Sequence, residues 1–408
     1  MMHSIKFLHC ADLHIDSPFY GLHTLPNNIL KKVRASTFES LRKVVQTALD
    51  EEVDFVLIAG DLFDGENRSI YAQAKLREQF LQLQEANIHV YVIHGNHDHL
   101  EGNTSTSFQY PNNVHIFPAE VTSFPFYKHN QHVANIYGFS YPTRHHYENR
   151  VDEYVKEEDV PFHIGMIHGN LAGREEHDPY APFTVQQLLS KQFNYWALGH
   201  IHKREILYSN PYIVYPGNIQ GRHKKEEGTK GCYVVTMSEE KTELQFFKTE
   251  TVLWDTTFIN IENMKSIDRI VDAIQDEKRK KRAKHEGVLL QVILQGQGEL
   301  HSELVQQDNQ NDLLVLLNEQ EEEDVHFVYT YDLKVQTQPL INKDQLKETP
   351  FFIDFFKLVE ETSDIDFSAL YSHSEARKYL TSLTLEEKQE MKTEAEQWII
   401  TKILEEKR

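Results

Sequence analysis

His94-Gly95-Asn96-His97-Asp98 follows directly on the apolar run Ile88-His89-Val90-Tyr91-Val92-Ile93. The run reads as a buried strand by its β-branched and aromatic content, and Gly95 marks an abrupt turn. Polar side chains are therefore delivered at a strand's carboxyl end. An Asn amide offers a carbonyl oxygen to a metal, the adjacent imidazole can pass a proton or donate to an anion, and the glycine lets a bound group approach the backbone.

Four other apolar runs end in matching chemistry. Ile5 to Ala11 leads into Asp12-Leu13-His14, Asp54 to Ala59 into Gly60-Asp61, His163 to Ile167 into His168-Gly169-Asn170, and Tyr195 to Leu198 into Gly199-His200-Ile201-His202. In open α/β sheets the carboxyl edge is where sites are built. Such an edge would gather Asp12, Asp61, Asn96, His14, His168, His200 and His202 at one point, with His97 beside them. That donor set suits one or two divalent transition metals, Mn, Fe or Zn rather than Ca or Mg. Among the 23 histidines of the chain, His9, His94 and His99 have no place in this pattern and read as structural or surface residues.

The 408 residues, 40% of them hydrophobic, suffice for two domains or more. No run approaches the eighteen or so apolar residues of a membrane span, and the first apolar run is already a strand rather than a leader. A cytoplasmic protein without a membrane partner is expected. Two cysteines, Cys10 and Cys232, exclude a disulfide framework and fit a reducing compartment; Cys10 reads as a small buried strand residue. The net charge of −21 cuts against a simple nucleic-acid binder, because phosphate affinity comes mostly from Lys and Arg. Basic residues concentrated locally would answer this. Arg222, Lys224 and Lys225 form one such run; Lys278, Arg279, Lys280, Lys281, Arg282 and Lys284 form another. Each stands equally as a DNA contact or as a solvated face.

The opening order β-α-β-α-β, with helices over 27 to 50 and 69 to 86, predicts right-handed crossovers and a largely parallel sheet. In the first helix Asn28 reads as the cap, and Ile29, Val33, Thr37, Leu41, Val44, Val45 and Ala48 form an apolar stripe. From about 112, strands crowd together with little helix between them, so a second sheet packed on the first is expected. The fold class is α/β (α+β), a two-sheet β-sandwich flanked by helices, over residues 1–250. Residues 141 to 160 read as a polar loop with a short surface helix, 170 to 182 as an irregular loop, and 231–235 with 244–247 as a closing hairpin. A small α+β domain follows over 251–345. Its strands fall over 252–261, 288–294 and 325–331, its first helix over 265 to 284, and the turn Glu321-Glu322-Glu323-Asp324 reads as a solvated loop. A helical tail over 346–408 has helices over 351–360 and 385–405, the second opened by the capping box Thr384-x-x-Glu387. Its stripe of Met391, Ala395, Trp398, Ile399 and Ile403, with Phe351, Phe352, Phe355 and Phe356, is more apolar surface than the tail easily buries in itself. It either folds back or docks on a partner.

The ordered set Asp12-x-His14, Gly60-Asp61, Gly95-Asn96-His97-Asp98, His168 and Gly199-His200-x-His202 resembles the calcineurin-like metallophosphoesterase superfamily. Within it, Ala11 to Phe19 and Ala59 to Asp64 are similar to the SbcD-like, YhaO-type bacterial DNA-repair exonucleases. The resemblance implies hydrolysis of a DNA phosphodiester at a dinuclear centre, with Mn as the metal and Fe or Zn as alternatives. It makes Asp61 the bridge, places one ion on Asp12, His14, Asp61 and His202, and the other on Asp61, Asn96, His168 and His200. His97 would be the catalytic residue, donating to the phosphate or protonating the leaving sugar oxygen. Asp98 would orient His97, and Asp64 would stand behind the ligands. The resemblance also implies that 251–345 caps the nuclease cleft, that the C-terminal helices bind an SMC-like coiled-coil ATPase, and that the phosphoesterase domain forms a homodimer. Archaeal and eukaryotic nucleases of the group carry a His three residues after the bridging Asp, where this chain has Asp64; His97 is left with more of the burden.

No Gly-x-x-x-x-Gly-Lys-Ser/Thr loop is present, so ATP coupling would come from another chain. A phosphodiesterase or phosphatase acting on a small nucleotide or phosphoprotein would use the same metal site but would not need the second domain and the tail. A scaffold with a vestigial site is opposed by the presence of every expected ligand.

Overall fold

The structure, a computed structural model, describes residues 3–19, 21–22, 25–65, 68–101, 108–157, 159–173, 180–340, 346–361 and 384–406. Part of the loop expected over 170 to 182, and the tail between its two helices, lie outside the described residues. Strands β1 (Ser4–Cys10), β2 (Phe55–Ala59), β3 (His89–Ile93) and β4 (Val114–Ile116) run parallel, linked by helices α1 (Asn27–Asp50) and α2 (Ile70–Glu85). The second sheet is built from β5 (Thr122–Lys128), β6 (Gln131–Gly138), β7 (Phe162–His168), β8 (Tyr195–Gly199), β9 (Glu205–Ser209) and β10 (Tyr212–Tyr215), in the order β5-β6-β7-β8-β10-β9. The closing hairpin, β11 (Gly231–Ser238) and β12 (Thr242–Lys248), returns to the first sheet, with β11 antiparallel to β1. Its neighbour could not be read from local sequence. The order β12-β11-β1-β2-β3-β4 is set by a contact between residues more than two hundred positions apart.

Alternation along the strands sorts side chains into layers. Ile5, Phe7, Phe55, Leu57, Tyr91 and Ile93 enter the core between the sheets, with Ile164, Met166, Tyr195 and Ala197 from the second. Leu8, Cys10, Val56, Ile58, Val90 and Val92 face the helices instead. All seven stripe residues of α1 are buried. Asn28 is not its cap: the chain enters from Pro26 with no side-chain bond to the first turn. Helix α2 is capped by Ser69, whose oxygen accepts from the Ala72 amide at 3.0 Å. The surface helix within 141 to 160 is one 3-10 turn, Val151–Glu153. A short helix α3 (Val185–Ser190) opens with a capping box of Thr184 and Gln187.

Beyond this lie β13 (Val252–Asn260), α4 (Ile267–Arg282), β14 (Gly287–Gly298), α5 (His301–Leu304), α6 (Gln307–Leu317) and β15 (Phe327–Pro339), with a sheet of order β13-β14-β15. The chain divides into two compact units. One contains Met1–Thr256, Glu277–Gln291 and Asn318–Tyr331; the other contains Thr257–Asp276, Val292–Leu317 and Asp332–Arg408. In the tail, helices Pro350–Glu361 and Leu385–Glu406 meet through Phe352, Phe356 and Ile400. The Thr384 capping box is formed, with Thr384 N–H to Glu387 at 2.7 Å and Glu387 N–H to Thr384 Oγ1 at 3.2 Å. Trp398, from the expected stripe, is 64% exposed, and the buried position is Ile400. Among the described residues no helix is long and apolar enough to cross a membrane.

Lys278 is not available to DNA: it is fully buried, with its ammonium 2.8 Å from Glu321. Glu321 is not part of a solvated turn: it is 4% exposed, accepts the Val328 amide at 2.8 Å and takes a two-pronged bond from Arg282 at 2.5 and 2.6 Å. Position i+3 or i+4 from a basic run gives no sign of this, because the partner carboxylate arrives from a remote turn. Removing one member of a buried pair strands the other's charge, at about 3–5 kcal/mol, whereas an apolar replacement of similar volume costs less when the partner is changed with it. Glu321→Ala is therefore expected to lose about 3–5 kcal/mol in urea unfolding, and Lys278→Met combined with Glu321→Gln distinctly less.

Candidate metal centre

Strands β1 and β2 end side by side, and their following loops are zipped by backbone bonds. The Asp12 amide donates to the Gly60 carbonyl at 3.1 Å, His14 to Asp61 at 3.0 Å and Ile15 to Leu62 at 3.0 Å. Asp12, His14, Asp61 and His200 all adopt positive φ, at 52°, 41°, 52° and 92°. For residues with a side chain such conformations cost about 1–3 kcal/mol each and persist where the surroundings enforce them. Glycine makes the closest approaches possible. A Cβ at Gly95 would lie 2.6 Å from His168 Nε2, and one at Gly60 would overlap the same ring.

The result is a knot of buried donors. Asp12 and Asp61 are each 1% exposed, and His14 and His168 are fully buried. His168 donates from Nδ1 to the Ala59 carbonyl at 3.0 Å. Its Nε2 faces Asp61 Oδ2 at 3.4 Å and Asn96 Oδ1 at 3.1 Å. His14 Nε2 stands 3.8 Å from the same Asp61 oxygen and 3.1 Å from His202 Nε2, and His202 Nε2 lies 4.0 Å from Asp12. Asp61 Oδ1 accepts the His97 amide at 2.9 Å, and Asp12 accepts the His200 amide at 3.0 and 3.1 Å. The His200 ring packs edge-on against His168, with centroids 5.2 Å apart. Every site residue expected from the strand ends is thus brought to one edge. Asp12, His14 and His202, and likewise Asp12, Asp61 and His168, present one ligand atom each within 4.8 Å of one another.

This set fits divalent cations. Two imidazole nitrogens at 3.1 Å share at most one proton, and two carboxylates lie beside them with little water. A cation of the N,O-preferring class would satisfy both. The electrostatics agree. Burial pushes His14 down to about 3, with Arg222 adding to the effect, so its lone pair is free. Burial would also lower His168, but Asp61 and Asp12 reverse it and raise it to about 9. Burial would raise Asp61, yet His168, His14 and His97 hold it well below the usual carboxylate range.

An outer ring orients the imidazoles. Asp64 Oδ1 lies 3.1 Å from His14 Nδ1, and its Oδ2 accepts from Ser17 at 3.0 Å. Glu226 Oε1 lies 2.7 Å from His202 Nδ1, while its Oε2 accepts from Asn218 at 2.8 Å and from the Arg222 amide at 2.7 Å. The Arg222 guanidinium bonds Asp64 and stands 3.7 Å from Glu226, so it joins the two carboxylates. Glu226 went unnoticed in the sequence. Its only local sign is an acid closing the basic run four residues after Arg222. Asp98 does not orient His97: its oxygens take the amides of Leu62 and Gly95, both at 2.8 Å, and it lies 3.0 Å from His94 Nδ1. The group nearest His97 Nδ1 is Asp64, through its carbonyl at 3.3 Å and its carboxylate at 3.9 Å. His94, His99 and His9 are buried, the last bonded to Tyr195 at 3.0 Å.

Of the basic residues, Lys224 and Lys225 are exposed on the loop that leaves Arg222, and Arg279 and Lys284 are exposed as well. Lys280 pairs with Glu277 at 2.6 Å, and Lys281 pairs with Asp255.

The calcineurin-like phosphoesterase family model matches residues 5–204. The chain is 40% identical over 400 residues to the uncharacterized metallophosphoesterase YhaO of Bacillus subtilis, covering 97% of both chains. It is 26% identical over 299 residues to the DNA double-strand break repair protein Mre11 of Methanocaldococcus jannaschii, covering 68% of this chain and 75% of that one. With the SbcD component of the nuclease SbcCD of Escherichia coli K12 it shares 23% identity over 275 residues, 59% of this chain and 66% of that one.

Metal uptake should be coupled to proton release. Without an ion, the second proton of His168 sits on Nε2 below about pH 9, between Asp61 and Asn96, and a cation needs the neutral ring. Apparent affinity for a divalent cation is therefore expected to rise with pH up to about 9. If an ion is taken up at His168, calorimetric titrations near pH 7.5 in buffers of different ionisation enthalpy should report close to one proton released with it.

Proposed function

The chain belongs to the calcineurin-like phosphoesterase family, and from that premise we propose that it is a Mn-dependent DNA exonuclease that acts in DNA repair. The observation that carries the reading is the position of Asp61. Its Oδ2 faces an imidazole of each donor group, His14 at 3.8 Å and His168 at 3.4 Å, as a residue shared by two ions must. Asp12, His14, Asp61 and His202 would hold one ion, and Asp61, Asn96, His168 and His200 the other. Two divalent ions there would supply an acidified water and positive charge for phosphoryl oxygens.

The chain's own residues would do the rest. Asp64 and Glu226 fix the His14 and His202 rings with Nε2 inward, and Ala59 does the same for His168. His97 is half-buried, with 30% of its side chain open to solvent and its ring edge-on to His14 at 5.0 Å. Its Nδ1 faces the Asp64 carbonyl, which leaves Nε2 to donate to the phosphate or to protonate the leaving sugar oxygen. Lys224 and Lys225, with Arg279, Lys280 and Lys284, are the residues assigned to the DNA backbone; the Arg222 guanidinium is held by Asp64 and Glu226, Lys281 by Asp255 and Arg282 by Glu321, so these three are left out.

DNA rather than a small ester is favoured by the similarity to Mre11 and to a component of the SbcCD nuclease. In this reading residues 1–250 form the nuclease domain, 251–345 the cap and 346–408 the partner-binding tail. The partner is an SMC-like coiled-coil ATPase, supported by the exposed Phe351, Ile353, Leu358 and Trp398 of the tail helices. A homodimer and a cytoplasmic location complete the proposal and rest on resemblance to these relatives.

Purified protein is expected to degrade linear DNA only when Mn is supplied. His97→Ala should lower kcat about 10²–10⁴-fold while Mn binding is retained. Cleavage of a small chromogenic phosphodiester with DNA left intact, in the presence of a coiled-coil ATPase partner as well as without it, would exclude DNA as the substrate.

A further inference from the structure

The metal centre has an aromatic neighbour that the hydrolytic mechanism does not use. Tyr180, 6% exposed, packs edge-on against His200 with ring centroids 5.3 Å apart. Tyr147 and His145 lie nearly parallel to Tyr180. The three centroid separations are 5.4, 6.0 and 6.2 Å, and the interplanar angles 14°, 21° and 18°. The His145 Nδ1 is 3.2 Å from the hydroxyl of Tyr180 and 3.2 Å from that of Tyr147, so the imidazole can bond either hydroxyl, and with the ring contacts this holds the three rings together as a plate.

The plate is fastened to the metal loops by backbone. The Asn170 amide, two residues after His168, donates to the Tyr180 carbonyl at 3.1 Å, and the Ala181 amide donates to the His146 carbonyl at 2.9 Å. At Gly169 a Cβ would meet the Ala181 carbonyl oxygen at 2.6 Å, so the two loops are pressed together. The outer part of the plate faces water: Tyr147 is 51% exposed, and His145 and the adjacent Arg144 are exposed. Phenol and imidazole rings held rigid and half bare beside a phosphoester-cleaving centre have the chemistry of a nucleobase platform. Stacking is sequence-tolerant, because every base presents a π-face.

We propose that Tyr147, with His145 and Tyr180, forms a stacking subsite for the base of a nucleotide that flanks the scissile phosphate of a DNA strand end. The proposal rests on the nuclease reading. It adds a binding element that selects a base-bearing end over a bare sugar-phosphate end. Tyr147 acts on substrate affinity and leaves the chemical step to the metal centre. Arg144 and Glu148, both exposed on the same loop, bring opposite charges that largely offset each other.

The test uses the full chain with Mn and two single-stranded oligonucleotides. One carries normal bases, and the other carries abasic sites at the two nucleotides of each end. Wild type is expected to show a KM about tenfold higher on the abasic strand. Tyr147→Ala should raise KM about tenfold on the normal strand, change kcat no more than about threefold and erase the difference between strands; Tyr147→Trp should restore it. If wild type cuts both strands with equal KM, or if Tyr147→Ala keeps the wild-type preference, the subsite is refuted and the nuclease reading stands. A fall in kcat shared by both strands with the preference intact would assign Tyr147 a structural role and equally overturn the proposal. If wild type cuts neither strand, in the presence of a coiled-coil ATPase partner as well as without it, the nuclease reading itself fails, and this inference with it.

Discussion

Asp12 and Asp61 are carboxylates almost wholly withdrawn from water at the end of a closely packed sandwich. An unpaired charge in such a place costs several kcal/mol even after relaxation, so the surrounding residues must supply positive charge. The His168 side chain and the amides of His97 and His200 are arranged to do so, while His14 and His202 turn nitrogen atoms toward the same carboxylates. The strained backbone at Asp12, His14 and Asp61 serves the same end. The loops after β1 and β2 are zipped together, so the two carboxylates have little freedom to move apart.

Electrostatic control extends one layer further. Asp64 and Glu226 each hold the far nitrogen of one of the two facing imidazoles, and Arg222 joins them. Burial would raise the Glu226 carboxyl, yet its bonds to His202 and His223 hold it far below its ordinary range. It therefore stays an anion and a fixed acceptor. This also bears on the net charge of −21. Part of that acidity is committed to internal pairs, as in Asp64 with Arg222 and Glu321 with Lys278, and does not repel a polyanion at the surface.

The strand ends were legible because parallel strands deliver their polar residues to one edge, and the runs ending at Asp12, Asp61, His97, His168 and His200 each signal a turn. The α1 stripe was legible for the same kind of reason: a period of 3.6 over 24 residues leaves little choice. What remained hidden depends on distant pairing. The neighbour of β11, the carboxylate partner of Lys278, and Glu226 behind His202 are all set by tertiary contacts across tens to hundreds of residues. Asp98 illustrates the limit of adjacency. It sits next to His97 in sequence, but its oxygens face the Leu62 and Gly95 amides and the His94 ring, because the turn at Gly95 needs an acceptor at that point.

The central claim is that Asp61 stands between two ions. Electron paramagnetic resonance of the protein loaded with two equivalents of Mn tests it most directly. The account predicts the spectrum of an exchange-coupled Mn pair in wild type, replaced in Asp61→Ala by uncoupled Mn or by a single bound ion. Two uncoupled ions in wild type, or coupling that survives in Asp61→Ala, would contradict it.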